Sequence, residues 1–94
     1  MGIGDKVVVC TEFRGVFYGT LVSQDGTDVT LRDSRVCVYW SKTTRGFVGL
    51  AATGPLDGSR VSRQCPEMRL AKVTCILLCT QEAVAVWESS PWNE

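Results

Sequence analysis

Phe13-Arg14-Gly15-Val16-Phe17-Tyr18-Gly19-Thr20-Leu21-Val22-Ser23-Gln24-Asp25-Gly26-Thr27-Asp28-Val29-Thr30-Leu31 reads as one strongly bent strand, a tight turn and the start of a returning strand. Val16, Tyr18, Thr20 and Val22 alternate with Phe17, Gly19, Leu21 and Ser23, the period of two that a pleated strand imposes. Gly15 and Gly19 weaken a strand unless its backbone must bend or approach another chain. Asp25-Gly26 is a short hairpin signal, because both central positions of the favoured turn need positive φ. A bent strand followed at once by such a turn is how small barrels close.

On the N-terminal side, residues 6–11 form a β-branched strand. On the other side come residues 28–32 and then Val36-Cys37-Val38-Tyr39-Trp40; Asp33-Ser34 between them reads as a tight turn or as a bulge within one long strand. From 41 to 66 the alternation stops. Gly46 to Pro55 is apolar without a strand period and ends in a helix-stopping Gly-Pro, so a short helical turn and an irregular apolar loop are both open. Asp57-Gly58 is a second turn signal, and Ser59 to Arg63 suits a short exposed strand. The excursion exceeds the usual hairpin connection of about 2 to 5 residues, so it is expected outside the barrel as a functional insertion or an oligomer contact. Arg69 to Thr80 is expected to be the most apolar strand. Residues 80–88 read as a C-terminal helix, with Thr80 accepting from the first amides, Glu82 at the positive end, and Ala83, Val86 and Trp87 on one face. In the tail, Trp92 has the bulk to pack back.

Ninety-four residues make one domain with a modest core. No apolar run approaches the roughly 20 residues of a membrane span, and residues 1–6 lack the features of a secretory signal. A cytoplasmic protein with no membrane partner is the expectation. The five cysteines (Cys10, Cys37, Cys65, Cys75 and Cys79) include no Cys-x-x-Cys pair, and the chain has no histidine. A zinc site would need scattered thiols; reduced thiols acting as small hydrophobes fit better. Neither a metal nor any other cofactor is expected.

Absence of histidine also removes the commonest general base at neutral pH. There is no Gly-rich phosphate loop with its Lys, and no Ser or Cys beside a His. Asp25 and Asp28 could be imagined as a metal pair, but turn chemistry accounts for Asp25 better. The chain is not expected to be an enzyme. Its net charge is zero but unevenly spread: residues 1–31 carry −2, residues 32–72 carry +5 and the remainder −3. The basic segment either makes an electropositive face for phosphates or keeps the surface soluble. Within it, Tyr39 and Trp40 lie beside Arg35, Lys42 and Arg45, a cluster of the kind that stacks bases and holds a phosphate backbone. Closing the barrel or filling a subunit interface accounts for Tyr39 and Trp40 better.

Gly19, Leu21, Ser23, Asp25, Val29 and Leu31 resemble the first motif of the Sm-like family, in which a strand ending Gly-x-Leu, a polar residue and an Asp resumes as hydrophobic-x-Leu. The spacing of Arg69, Val73 and Ile76 is similar to the family's second motif. Asp28 stands where many relatives have a base-contacting Asn, and Leu70 where the second motif has Gly. The resemblance implies a small, strongly bent five-stranded antiparallel Sm-like (SH3-like) barrel, to which the reading of the residues adds an insertion at 41–66 and a C-terminal helix at 80–88. It implies homo-oligomeric rings of five to seven subunits, built by edge-strand pairing. It also implies single-stranded RNA bound at the loops after the bent strand and the second motif, with Thr27 and Asp28 near a base and Arg69 and Lys72 supplying charge. A carboxylate at Asp28 can accept a base N–H but repels phosphate. Sm-like barrels with an insertion and a terminal helix resemble phage-encoded proteins, which would place this one in the host cytoplasm. Three roles follow: an RNA-binding ring, a protein-binding or structural ring without nucleic acid, and an anti-defence factor that sequesters a nucleotide signal.

Overall fold

The computed structural model describes residues 2–12, 15–40, 44–56 and 58–89. Their elements run β1 (Lys6–Thr11), β2 (Val16–Asp25), β3 (Asp28–Tyr39), α1 (Gly46–Ala52), β4 (Arg60–Val61), β5 (Cys65–Leu70), β6 (Val73–Leu78) and α2 (Gln81–Ser89). All pairings are antiparallel: β6 lies on β1, β1 on β2 and β2 on β3, while β5 and the two-residue β4 share the other side of β3. Five long strands thus form one strongly bent sheet, as the alternation at 16–22 predicts. The bend brings its ends together, where the Val73 amide donates to Thr27 O (3.0 Å) and the Glu12 amide to Lys72 O (2.9 Å).

Gly19 sits where β2 presses on β3. A Cβ there would lie 3.0 Å from Leu31 Cβ and 3.1 Å from Ser34 Cβ, so a side chain would push the two strands apart by a few tenths of an ångström. Asp33-Ser34 is a bulge, not a turn: the β2–β3 register jumps between Tyr18↔Arg35 and Thr20↔Arg32, and Asp33 absorbs the extra residue at φ 51°. The hairpin is shifted by one residue from the expected Asp25-Gly26. Asp25 pairs with Asp28, so Gly26 and Thr27 are the central residues, and of these only Gly26 has positive φ. Glycine at the first central position is the II′ arrangement.

Two further boundaries differ from expectation. Arg69 to Thr80 is not one strand: β5 ends at Leu70, β6 begins at Val73, and Lys72 turns the chain at φ 55°. β5 also begins at Cys65, inside the stretch expected to be excursion. Its Pro66 is tolerated because β5 pairs on one side only. The insertion is packed onto the outer face of the sheet instead of standing free of it. Leu50 and Val61 are fully buried, and Trp87 Nε1 donates to Leu50 O at 2.9 Å, so α1 and β4 cover one face of the sheet.

The core is therefore double. One layer lies inside the bend, built on Val7, Val9, Leu21, Val29, Leu31 and Leu70. The other lies between the sheet and the helices and includes Val8, Tyr18, Leu50, Ala83 and Trp87. The run Val7-Val8-Val9 is buried on both faces because β1 separates the layers.

Thr80 caps α2 as expected, accepting from the Ala83 amide at 3.0 Å. Trp87 stacks on Tyr18 with centroids 4.9 Å apart, and Tyr18 Oη donates to Glu88 at 2.8 Å. Glu88 also pairs with Lys6 at 3.1 Å. The tyrosine hydrogen bond, then Lys6, hold the Glu88 carboxyl below its ordinary range. A depressed folded pKa stabilises the fold above the unfolded value, about 4.3, and that contribution is lost as pH falls through the folded value. The pair is half exposed, so its share is at most about 1 kcal/mol. Glu88→Gln is expected to flatten the acid limb of stability against pH while leaving stability at pH 7 within about 1 kcal/mol, as urea titrations at several pH values would read out.

Candidate nucleic-acid interface

The contacts that close the barrel also gather the four expected RNA-binding residues at one end. Thr27 is at the exposed tip of the β2–β3 turn, Asp28 opens β3, Arg69 lies near the end of β5 and Lys72 turns the chain into β6. Arg69 is paired in register with Thr30, which sets Asp28 diagonally across from it on the same face. Arg69 Nη2 consequently lies 3.6 Å from Asp28 Oδ2, with the two side chains 73% and 43% exposed. An exposed pair like this is worth at most about 1 kcal/mol and is readily exchanged for another anion. Asp28 also stands directly opposite Asp25, and like charges so placed repel. Arg69 relieves that repulsion.

The tip thus mixes two cations with two carboxylates. A shallow depression beside it is lined by Gln24, Gly26 and residues Val73 to Ile76. Glu12 reaches the same end through its amide bond to Lys72 O, a neighbour that the sequence does not announce. The geometry can seat an extended anionic chain across Arg69 and Lys72, with a base against the turn. Removing the Asp28 charge would release Arg69 to such a ligand.

Of the second expected cluster, Arg35 is turned away from the surface. Arg35 is only 4% exposed: its Nε donates to Ser62 O at 2.8 Å and its Nη1 to the Trp87 carbonyl, so it ties β3 to the insertion and α2. The bulge at Asp33 resets the alternation and turns it inward. Trp40 is half-buried against the outer core layer, while Tyr39 is 54% exposed and Arg45 is exposed, at φ 66°, ahead of α1. Lys42, Arg14 and Trp92 fall outside the described residues. The fold sets Arg60 beside Tyr39, as its register partner on β4.

A polar cavity of about 340 Å³ lies elsewhere, lined by Lys6, Tyr18, Asp33, Arg35, Gln64 and Glu88. Burial, reinforced by Glu88, pushes the Tyr18 phenol above its ordinary range, so it remains a donor. Among the described residues, no group of three or more His, Cys, Asp or Glu side chains is placed to hold a metal. No helix among them is long and apolar enough to cross a membrane.

A family model described as a domain of unknown function, DUF6948, matches residues 4–87. The chain belongs to that family. A search of curated proteins finds no match for this DUF6948 chain. Among solved structures, it is similar to a heptameric archaeal Sm protein, described for its implications for the eukaryotic snRNP core. The two share 20% identity with a TM-score of 0.55, over 83% of this chain and 90% of the archaeal one. The DUF6948 chain therefore has an Sm-like fold, reached at an identity that speaks for the fold alone. Its β6-β1-β2-β3-β5 order is carried by the five long strands; α1 and β4 are inserted between β3 and β5.

Proposed function

We propose that the protein assembles into a closed homo-oligomeric ring and binds single-stranded RNA at the end formed by Thr27, Asp28, Arg69 and Lys72. One observation carries the reading: the β2–β3 and β5–β6 turns are bonded together, placing both second-motif cations beside the turn that would meet a base. The heptameric assembly of the archaeal neighbour supports the ring. So does the protomer itself. Among the described strands, β5 pairs only with β3 and β6 only with β1, which leaves two outward edges suited to each other in neighbouring copies.

The polar cavity is what favours the nucleotide-sequestering role. Its two cations, Lys6 and Arg35, are matched by two carboxylates, Glu88 and Asp33, and Lys6 is already held by Glu88. A phosphate meets no net positive charge there, so the RNA reading stands ahead. Within it, phage origin and a host-cytoplasmic setting are part of the proposal.

Light-scattering mass and titration with fluorescent single-stranded oligonucleotides test the two halves separately. A multiple of the protomer mass, and binding that weakens steeply with salt, are expected. A monomer at micromolar concentration removes the ring. Absence of binding to any oligonucleotide at low salt removes the RNA claim and leaves a protein-binding ring. Asp28→Asn is expected to strengthen binding several-fold and to shift preference toward uridine, since it frees Arg69 and replaces an acceptor-only group with an amide. Unchanged affinity across base types would remove Asp28 from the base pocket.

A further inference from the structure

The β1–β6 register sets Cys10 directly opposite Cys75. Both face the same way: Cys10 belongs to the outer core layer, and Cys75 packs against it together with Leu77 and Cys79 at the alternating positions of the same run. Directly opposed residues in an antiparallel pair have Cα atoms about 4.5–5.5 Å apart, inside the range of about 4.4–6.8 Å that a disulfide spans. Both are free thiols. Access is asymmetric. Cys10 is only 9% exposed, whereas Cys75 is half-buried and lies on the wall of the depression beside Gln24 and Gly26.

We propose that Cys10 and Cys75 form a redox pair, which hydrogen peroxide oxidises reversibly to a cross-strand disulfide tying β6 to β1. The Cys75 thiolate attacks one peroxide oxygen, the O–O bond breaks, and hydroxide leaves with the bonding pair, giving a sulfenic acid. The Cys10 sulfur then attacks the Cys75 sulfur. Its proton joins the departing hydroxyl, water leaves and the S–S bond forms. Two electrons pass from the sulfurs to the peroxide, which ends as water. Burial, aided by Cys75, pushes the Cys10 thiol up to about 12. Cys10 is therefore a poor first nucleophile toward the peroxide, and loses its proton only as the hydroxyl departs. Cys37 and Cys79 are held protonated by burial as well, at about 11 and about 12. Cys65 lies on β5, at the other edge of the sheet. The opposed register singles out one pair from the five thiols, independently of any RNA bound.

The test treats the folded protein with hydrogen peroxide, blocks remaining thiols by alkylation, and reads intact mass and peptide maps. Two thiols should disappear, with a mass loss of about 2 Da for the two hydrogens, a single link between the Cys10 and Cys75 peptides, and reversal by dithiothreitol. Cys75→Ser should abolish the link and Cys65→Ser should leave it. Cys10→Ser should let a Cys75 sulfenic acid accumulate, trapped by dimedone, with far-ultraviolet circular dichroism confirming that each variant folds. The proposal is overturned if no thiol oxidises or if a different pair is joined. It is also overturned if wild-type Cys75 proceeds to sulfinic acid while Cys10 stays open to alkylation.

Discussion

Trp87→Ala is expected to destabilise the protein by about 3–5 kcal/mol, the range for truncating a fully buried large aromatic. Trp87 has no exposed surface, stacks on Tyr18 at an interplanar angle of 7°, and donates to the Leu50 carbonyl. The substitution removes the stack, opens a cavity between α2 and the sheet, and leaves the Leu50 carbonyl buried without that donor. Small domains are stable by only about 5–15 kcal/mol, so much of the protein would populate the unfolded state at moderate denaturant. The loss should spread beyond α2 if the helix shifts, because the main-chain carbonyl of residue 87 accepts from Arg35, which joins β3 to the helix and, through Ser62 O, to the insertion. Trp87→Phe keeps most of the ring burial and loses the indole N–H, and is expected to cost about 1 kcal/mol beyond its volume change. Urea denaturation followed by circular dichroism measures both. A loss below about 1 kcal/mol for Trp87→Ala would mean that α2 is dispensable to the fold.

The barrel is legible in the sequence because its signals are local. Alternation at 16–22, a Gly-containing turn and a capped amphipathic helix each announce themselves within a few residues. Other features depend on partners that a sequence does not display. The hairpin slips by one residue because the pairing of Asp25 with Asp28 decides which residues are central. The break at Ala71-Lys72 carries no Gly, Pro or Asn; the turn is made by Lys72 in a left-handed conformation, held by the Glu12 amide on its carbonyl. The role of α1 is hidden because seven largely apolar residues show no polar face, and what they bury against comes from β1, β6 and α2, all distant in the chain.

The candidate site divides the same way. Thr27, Asp28, Arg69 and Lys72 are picked out by resemblance and do converge. Arg35 falls into the wrong cluster because a one-residue bulge, invisible in composition, reverses the face on which β3 presents it. Arg60 escapes notice because its proximity to Tyr39 arises across a strand of two residues.

The double substitution of Arg69 and Lys72 by Ala is expected to remove most of the salt-dependent affinity for single-stranded RNA. Deleting one cation that neutralises a phosphate should flatten the slope of log affinity against log salt by about 0.7. The weakening should be uniform across sequences, because groups that hold phosphate do not read bases. The two single variants should not be equal. Removing Lys72 subtracts one cation, whereas removing Arg69 also exposes the Asp28 carboxylate, which faces Asp25 and would repel a phosphate. Arg69→Ala should therefore weaken binding more than Lys72→Ala, and the gap should shrink when both are made with Asp28→Asn. That background separates direct contact from relief of repulsion: a gap that persists there assigns Arg69 a phosphate contact, and one that vanishes assigns it the neutralisation of Asp28. Fluorescence anisotropy at three or more salt concentrations measures slope and affinity together. Equal binding by wild type and the double variant would place any RNA surface elsewhere on the barrel.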